Sequence, residues 1–190
     1  MSIKYSAVFV ATLLLAGCEG YQPPNYTPKV APQLGAQTDA ELGSIIVSVA
    51  QPSERKGAIH FAPSYAKTFS DAWRAGLKDA ISHAMVFSPH SLRRIDLRVS
   101  VLEFDQPNTA ISFHTKATAL YEIEDRETGA ILFREEIASE GVAPWSFALS
   151  AEVRSEESGN RAVQNNILSF LGALGQKGVH FPKRNGAYKP

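Results

Sequence analysis

The sequence predicts an α+β two-layer sandwich, a mainly antiparallel four-stranded sheet with two helices on one face, in the order β-α-β-β-β-α. Three observations predict it. Two segments repeat apolar residues at spacings of three and four, the pattern of a helix that buries one stripe. Three consecutive segments alternate apolar and polar residues at every second position, the pattern of strands with one dry face. Neither the helices nor a one-sided meander can bury its apolar surface alone, so each must cover the other.

The elements follow in order. Residues 44–50, Ser-Ile-Ile-Val-Ser-Val-Ala, are short and β-branched, which predicts a first strand ended by Pro52 and placed beside either the first or the last meander strand. Tyr65, Phe69, Ala72, Trp73, Leu77, Ala80, Ile81 and Ala84 form one helical stripe over 65–85, with Ser64 as N-cap and Pro89 barring continuation beyond Ser88. Ile95, Leu97, Val99 and Val101 alternate with Asp96, Arg98 and Ser100, predicting a strand over 94–104; the phase slips at Leu102, which predicts a bulge near Glu103. After the turn at Pro107-Asn108, residues 111–123 alternate most clearly of all, from Ile111 through Phe113, Thr115, Ala117, Ala119 and Tyr121 to Ile123. Asp125 to Gly129 is a hairpin connection, and Ile131, Phe133 and Ile137 continue as the next strand. A second helix begins weakly near Ser155, through Ser158 and Gly159, and firms up with Ala162, Val163, Ile167, Phe170, Leu171 and Leu174 before a C-cap at Gly175. The tail after Gly178 has no periodicity.

Charge and residue chemistry narrow the function by exclusion. In 190 residues, 19 Lys and Arg balance 19 Asp and Glu. With no basic field to neutralise phosphates, the chain is not expected to bind nucleic acid or a membrane through a polybasic patch. His60, His83, His90, His114 and His180 show neither i,i+4 pairs nor short metal-ligand spacings, so no metal site is expected. No Gly-x-Ser-x-Gly elbow occurs, and Gly172-Ala-Leu-Gly175 lies at a helix end rather than between a strand and a helix, so it is not a phosphate loop. Glu122/Glu124 and Glu135/Glu136 flank the Asp125 hairpin near Arg126 and Arg134; cross-strand ion pairs on a wet surface are expected there in preference to catalytic carboxylates. Arg93-Arg94 reads as a solvated pair rather than a phosphate site. Trp73 falls on the helical stripe and belongs to the core. Trp145 and Phe147, beside Pro144 in a loop, are the candidate contact residues: they either cap the core or anchor a protein partner or lipid. No catalysis and no cofactor are expected.

The N-terminus carries the most specific signal. Lys4 precedes an apolar run from Tyr5 to Leu15 that is shorter than the roughly 20 residues a spanning helix needs, and small residues follow. This reads as a signal peptide over residues 1–17. Leu15-Ala16-Gly17-Cys18 resembles the lipobox of bacterial lipoproteins, which implies that Cys18, the one cysteine of the chain, is acylated and becomes the new N-terminus. Two or three acyl chains would hold the chain on a membrane far more firmly than one. Residues 18–43, with Pro23, Pro24, Pro28 and Pro32, read as the anchored cysteine and a Pro-rich tether whose root-mean-square span as a flexible coil is about 25 to 30 Å. Tyr21 and Tyr26 are left either at the lipid headgroups or docked on the domain. Residues 44–178 are the folded domain and 179–190 a loose tail.

Taken together, the lipobox, the tether, the helix Phe69-x-x-Ala72-Trp-x-x-x-Leu77-x-x-Ala80-Ile81, the meander segment Ala119-x-Tyr121-x-Ile123-x-Asp125-x-x-Thr128-Gly129 and the final helix Ala162-Val-x-x-Asn166-Ile-x-x-Phe170-Leu resemble the small auxiliary lipoproteins of Gram-negative envelope transport, the group that includes LptE-, PqiC- and YajG-like proteins. The resemblance implies a periplasm-facing, non-catalytic adaptor that assists lipid or lipopolysaccharide transport by binding an envelope protein partner or lipid. Glu19 in place of an inner-membrane-retaining Asp favours the outer membrane. The alternative expectation is a structural or assembly subunit of a secretion or motility apparatus.

Overall fold

The structure is a computed structural model and describes residues 24–30, 32–34 and 38–179. Strands β1 (Glu41–Val49), β2 (Arg94–Asp105), β3 (Phe113–Asp125) and β4 (Ile131–Ala143) form one sheet in the order β1-β2-β3-β4, with helix α1 (Ala66–Ala84) between β1 and β2 and helix α2 (Ala151–Lys177) after β4. β1 lies beside the first meander strand and runs parallel to it, whereas β2–β3 and β3–β4 are antiparallel. The sheet is therefore mixed, though mostly antiparallel. A parallel neighbour needs a crossover, and α1 is that crossover.

The alternating residues of the meander point into the core as their periodicity requires. Ile95, Leu97, Val99, Val101, Ala117, Ala119, Tyr121 and Ile123 are all buried under the helices. The slip at Leu102 is a bulge: the register jumps from Val101↔Ala119 to Glu103↔Thr118. Leu102 thereby turns to the opposite face, where its carbonyl accepts from the Lys56 N–H at 3.1 Å.

Element ends depart from the sequence reading for identifiable reasons. β4 continues to Ala143, well past the last apolar alternation at Ile137, because its inward positions there are small rather than apolar. At Gly141 a Cβ would overlap the Ser158 carbonyl oxygen and the Ala162 amide nitrogen, so the backbone of α2 rests directly on the strand. α2 starts at Ala151, capped by Ser150 Oγ accepting from the Val153 N–H at 3.4 Å. Ser158 is tolerated inside the helix because its hydroxyl is bonded to Thr115 Oγ1 and donates to the Ser155 carbonyl, both at 2.7 Å. The helix passes Gly175 and ends at Gly178, whose positive φ of 65° and N–H bond to Leu174 O close it. α1 begins after a 3-10 turn at Pro63–Tyr65, so Ser64 does not cap it, and it stops at Ala84 with Met85 left-handed.

Both helices start at the same end of the sheet. α2 runs back along β4, with Ser158 and Ala162 over Gly141, Asn166 bonded to Ile137 O at 2.9 Å and Lys177 paired with Glu135. Phe69, near the start of α1, packs on Phe104 near the end of β2, with ring centroids 4.8 Å apart. The two helices are thus parallel, and the end that holds their N-termini also holds the β2–β3 and β4–α2 loops.

Part of the segment read as a tether is docked. Tyr26 is buried, with its ring 5.6 Å from Phe69 and 6.4 Å from Trp73. The Asn25 N–H donates to Asn160 Oδ1 at 3.2 Å, and Gln164 Nε2 donates to Asn25 O at 2.8 Å. Leu34 lies against Gly175, and the Thr38 N–H donates to Val86 O at 2.7 Å. Residues 24–34, where described, therefore make a strap along the helical layer, running in the direction of both helices. Gly76 is its seat, since a Cβ there would stand 2.6 Å from the Tyr26 carbonyl carbon and oxygen. The buried interior is continuous from this strap through Trp73, Leu77, Phe170 and Tyr121, whose ring stacks on Phe170 at 4.2 Å.

Candidate functional site

The end of the molecule where the helices begin carries a group of exposed apolar side chains. In the β4–α2 loop, Trp145 is 65% exposed, Phe147 44% and Leu149 99%; across from them in the β2–β3 loop Ile111 is 80% exposed. Val142 and Val153 flank the group at the end of β4 and the first turn of α2. The pairing Phe113↔Ala143 brings the two loops side by side. Trp145 and Phe147 are thus exposed at the surface, while Trp73 is fully buried in the core.

The loop is held rigid from beneath by two arginines of α2. Arg154 Nη1 donates to Ala148 O at 2.6 Å and to Leu149 O at 2.9 Å, and its guanidinium lies 5.7 Å from the Phe113 ring centre. Arg161 Nη1 donates to Val142 O at 2.6 Å, its Nε pairs with Glu157 at 2.7 Å, and its guanidinium lies 5.0 Å from the Phe147 ring centre. A 3-10 turn at Trp145–Phe147, closed by the Phe147 N–H to Pro144 O bond, sets the aromatic pair. Burial, then the neighbouring Glu152, pushes the Glu156 carboxyl above its ordinary range. The tip thus presents apolar side chains on a fixed backbone, with its arginines engaged by carbonyls, a ring and a carboxylate.

Of the remaining sequence candidates, the paired glutamates lie along the sheet away from the tip, whereas His114 stands opposite Val142 at its base. Glu122 pairs with Arg134, Glu124 with Arg98 at 3.0 Å and Glu136 with Lys56 on the outer sheet surface, while Glu135 pairs with Lys177 of α2, so each of the paired glutamates is an ion-pair partner. A shallow depression of 640 Å³ on the outer sheet face is lined by Ser100, Leu102 and Leu120 together with the Glu122–Arg134 and Lys56–Glu136 pairs. His60, His83 and His114 each sit beside a different carboxylate, Asp105, Asp79 and Glu140. Among the described residues no group of three or more metal-ligating side chains occurs. Arg93 corrects the solvated reading of Arg93-Arg94: its side chain is four-fifths covered and faces Asp125 at 3.6 Å, whereas Arg94 is exposed beside Glu41. Cys18, Tyr21 and the signal segment lie outside the described residues.

Sequence reasoning missed Leu149 and Ile111 as members of the tip. The alternation of the sequence places Ile111 in the strand, but the strand begins only at Phe113. A signal for Leu149 was present: an isolated Leu two residues after Phe147, in a loop with no periodic apolar partner.

No family model matches the chain, and no curated protein matches its sequence. Among solved structures, a Xanthomonas campestris protein of the family DUF330 aligns with a TM-score of 0.57 at 11% identity, over 82% of this chain and 94% of that one. A candidate lipoprotein from Caulobacter crescentus aligns with a TM-score of 0.44 at 16% identity, over 70% and 88% of the two chains. A minor lipoprotein from Acinetobacter baumannii aligns with a TM-score of 0.44 at 11% identity, over 72% and 95%. At those scores the latter two carry no argument; the Xanthomonas likeness shows that this β-α-β-β-β-α sandwich is a fold shared with a known bacterial protein.

Proposed function

We propose that the chain is a lipid-anchored, non-catalytic adaptor of the Gram-negative envelope, held on the outer membrane and facing the periplasm, where it assists lipid or lipopolysaccharide transport by binding a protein partner or lipid. The observation that carries this reading is the tetrad Leu15-Ala16-Gly17-Cys18 placed a few residues before a strap that fastens directly onto the helical layer at Tyr26. The absence of a basic field, the self-paired surface charges and the rigid apolar tip support contact as its mode of action in place of chemistry. Among the described residues no helix is long and apolar enough to cross a membrane.

The anchor is tested by metabolic labelling with an alkyne fatty acid in a Gram-negative host. Label on the wild-type chain and none on Cys18→Ser is the expected result; equal labelling of the two removes the anchor. The adaptor role is tested by in-cell crosslinking followed by identification of bound protein and extracted lipid. Recovery of an envelope transport component or a bound phospholipid or lipopolysaccharide is expected, and recovery of a secretion or motility assembly instead would replace the transport reading.

A further inference from the structure

We infer that the apolar tip formed by Ile111, Val142, Trp145, Phe147, Leu149 and Val153 is a second membrane footing, which rests on the lipid surface that the Cys18 anchor enters. This rests on the lipoprotein reading and deepens it: the acyl chains hold the molecule to the bilayer, and the tip decides which end faces it.

The reach of the chain selects the end. Asn25 is bonded to Asn160 and Gln164 of α2. At 1.5 Å per helical residue, Asn160 stands about 14 Å from the start of α2 at Ala151 and about 26 Å from its finish at Lys177. Six links of chain from Cys18 to Pro24 span at most about 22 Å. An acylated Cys18 therefore reaches past the start of α2, from which the tip projects, and falls short of the opposite end. The strap also points the right way: from Asn25 it runs along the helices away from the tip, towards Gly175 and Val86, so its first described residues are its tip-side end.

The chemistry of the tip fits a lipid interface. Trp145 is amphipathic and aromatic, Phe147 is aromatic and apolar, Leu149 is almost fully exposed, and the backbone on either side of them is bonded by Arg154 and Arg161 before any contact is made. With those arginines engaged, the tip offers no free cationic surplus, so the contact is apolar and should hold on neutral lipid at high salt. The opposite end also exposes large apolar residues, Leu92 at 96%, Met85 at 52% and Ile131 at 49%, but the anchor does not bring them to the surface.

The test uses the full chain, acylated in a Gram-negative host and reconstituted into neutral phosphatidylcholine vesicles with brominated acyl chains. Flotation with the vesicles reports the anchor; Trp145 emission reports the tip, because the other tryptophan, Trp73, is fully buried and Trp145→Phe gives its background. The expected result is a blue shift of Trp145 emission, loss of its quenching by aqueous iodide and gain of quenching by bromine, all insensitive to salt. Leu149→Ser reverses these changes in part, and Leu92→Ser leaves them unchanged. A chain that floats while Trp145 stays iodide-accessible overturns the tip proposal and makes the tip a surface for a protein partner, with the anchor intact. A chain that does not float overturns the anchor and the footing together.

Discussion

At the residue scale, two buried polar side chains, Asp125 and Asn166, fasten this fold through several hydrogen bonds each. Asp125 is almost fully buried, and its Oδ1 accepts from the Glu127 and Thr128 N–H groups at 3.0 Å, which sets the β3–β4 hairpin, while Arg93 faces its other oxygen. Burial raises its pKa, but those backbone bonds, with the Thr128 side chain and Arg93, outweigh it and hold the carboxyl below its ordinary value of 3.8. A depressed folded pKa contributes stability above that ordinary value and loses it as pH falls through the folded one. Asp125→Asn is therefore expected to flatten the fall of unfolding free energy below about pH 4, and Asp125→Ala to cost about 2 kcal/mol at neutral pH, both read by urea denaturation at a series of pH values. Asn166 does the same work across layers. Its amide donates to Ala117 O at 3.2 Å and Ile137 O at 2.9 Å, and its Oδ1 accepts from Tyr121 O–H at 2.8 Å. Asn166→Leu strands these partners in the core and should cost about 3 kcal/mol, whereas Tyr121→Phe, which strands one acceptor, should cost about half of that in the same assay.

At the element scale, the sequence made legible whatever is written in apolar periodicity. The stripe from Tyr65 to Ala84 and the alternation from Phe113 to Ile123 became α1 and β3 almost without change, and the broken phase at Leu102 became a bulge. The extension of β4 was hidden because Ser139, Gly141 and Ala143 are chosen for size, so that the backbone of α2 can lie on them. The pairing of β1 was hidden because a short β-branched strand carries no mark of parallel or antiparallel partners. Gly141→Ala tests the close approach: the added methyl must push α2 off the strand, with an expected loss of about 3 kcal/mol in thermal or urea unfolding. The strap was hidden for a different reason, since its Pro-rich composition cannot fold by itself and gives no sign that a neighbouring groove will hold it. Gly76→Ala separates its contribution from that of the helix. The substitution favours α1 by about 1 kcal/mol intrinsically, yet places a Cβ against the Tyr26 carbonyl. Protease cleavage within residues 24–34 is expected to accelerate sharply while the core keeps its melting temperature to within a few degrees; unchanged cleavage would mean that the strap does not need this seat.

At the scale of the whole molecule, the functional candidates became meaningful only through their arrangement. Cys18 and Trp145 are 127 positions apart in the sequence, and nothing in either motif connects them. The connection is made by topology: α2 reverses along β4, Asn25 docks on it two and a half turns from its start, and the tip lies beyond that start. A footing of this kind gains its strength from proximity, because the anchor keeps the tip within a small volume above the bilayer and so at a high effective concentration of lipid surface. Lengthening the leash should weaken the footing without touching either end. Ten flexible Gly and Ser residues inserted after Glu19 raise the maximum reach from Cys18 to Pro24 from about 22 Å to about 58 Å. The inserted chain is expected to float with vesicles as the parent does and to keep the parent's unfolding free energy. Its Trp145 should nevertheless recover much of the iodide quenching lost by the parent on vesicles, and the opposite end should become reachable by the anchor. If Trp145 stays as deeply protected on the long leash as on the short one, the tip binds lipid strongly enough alone, and the geometry of the strap is not what orients the molecule.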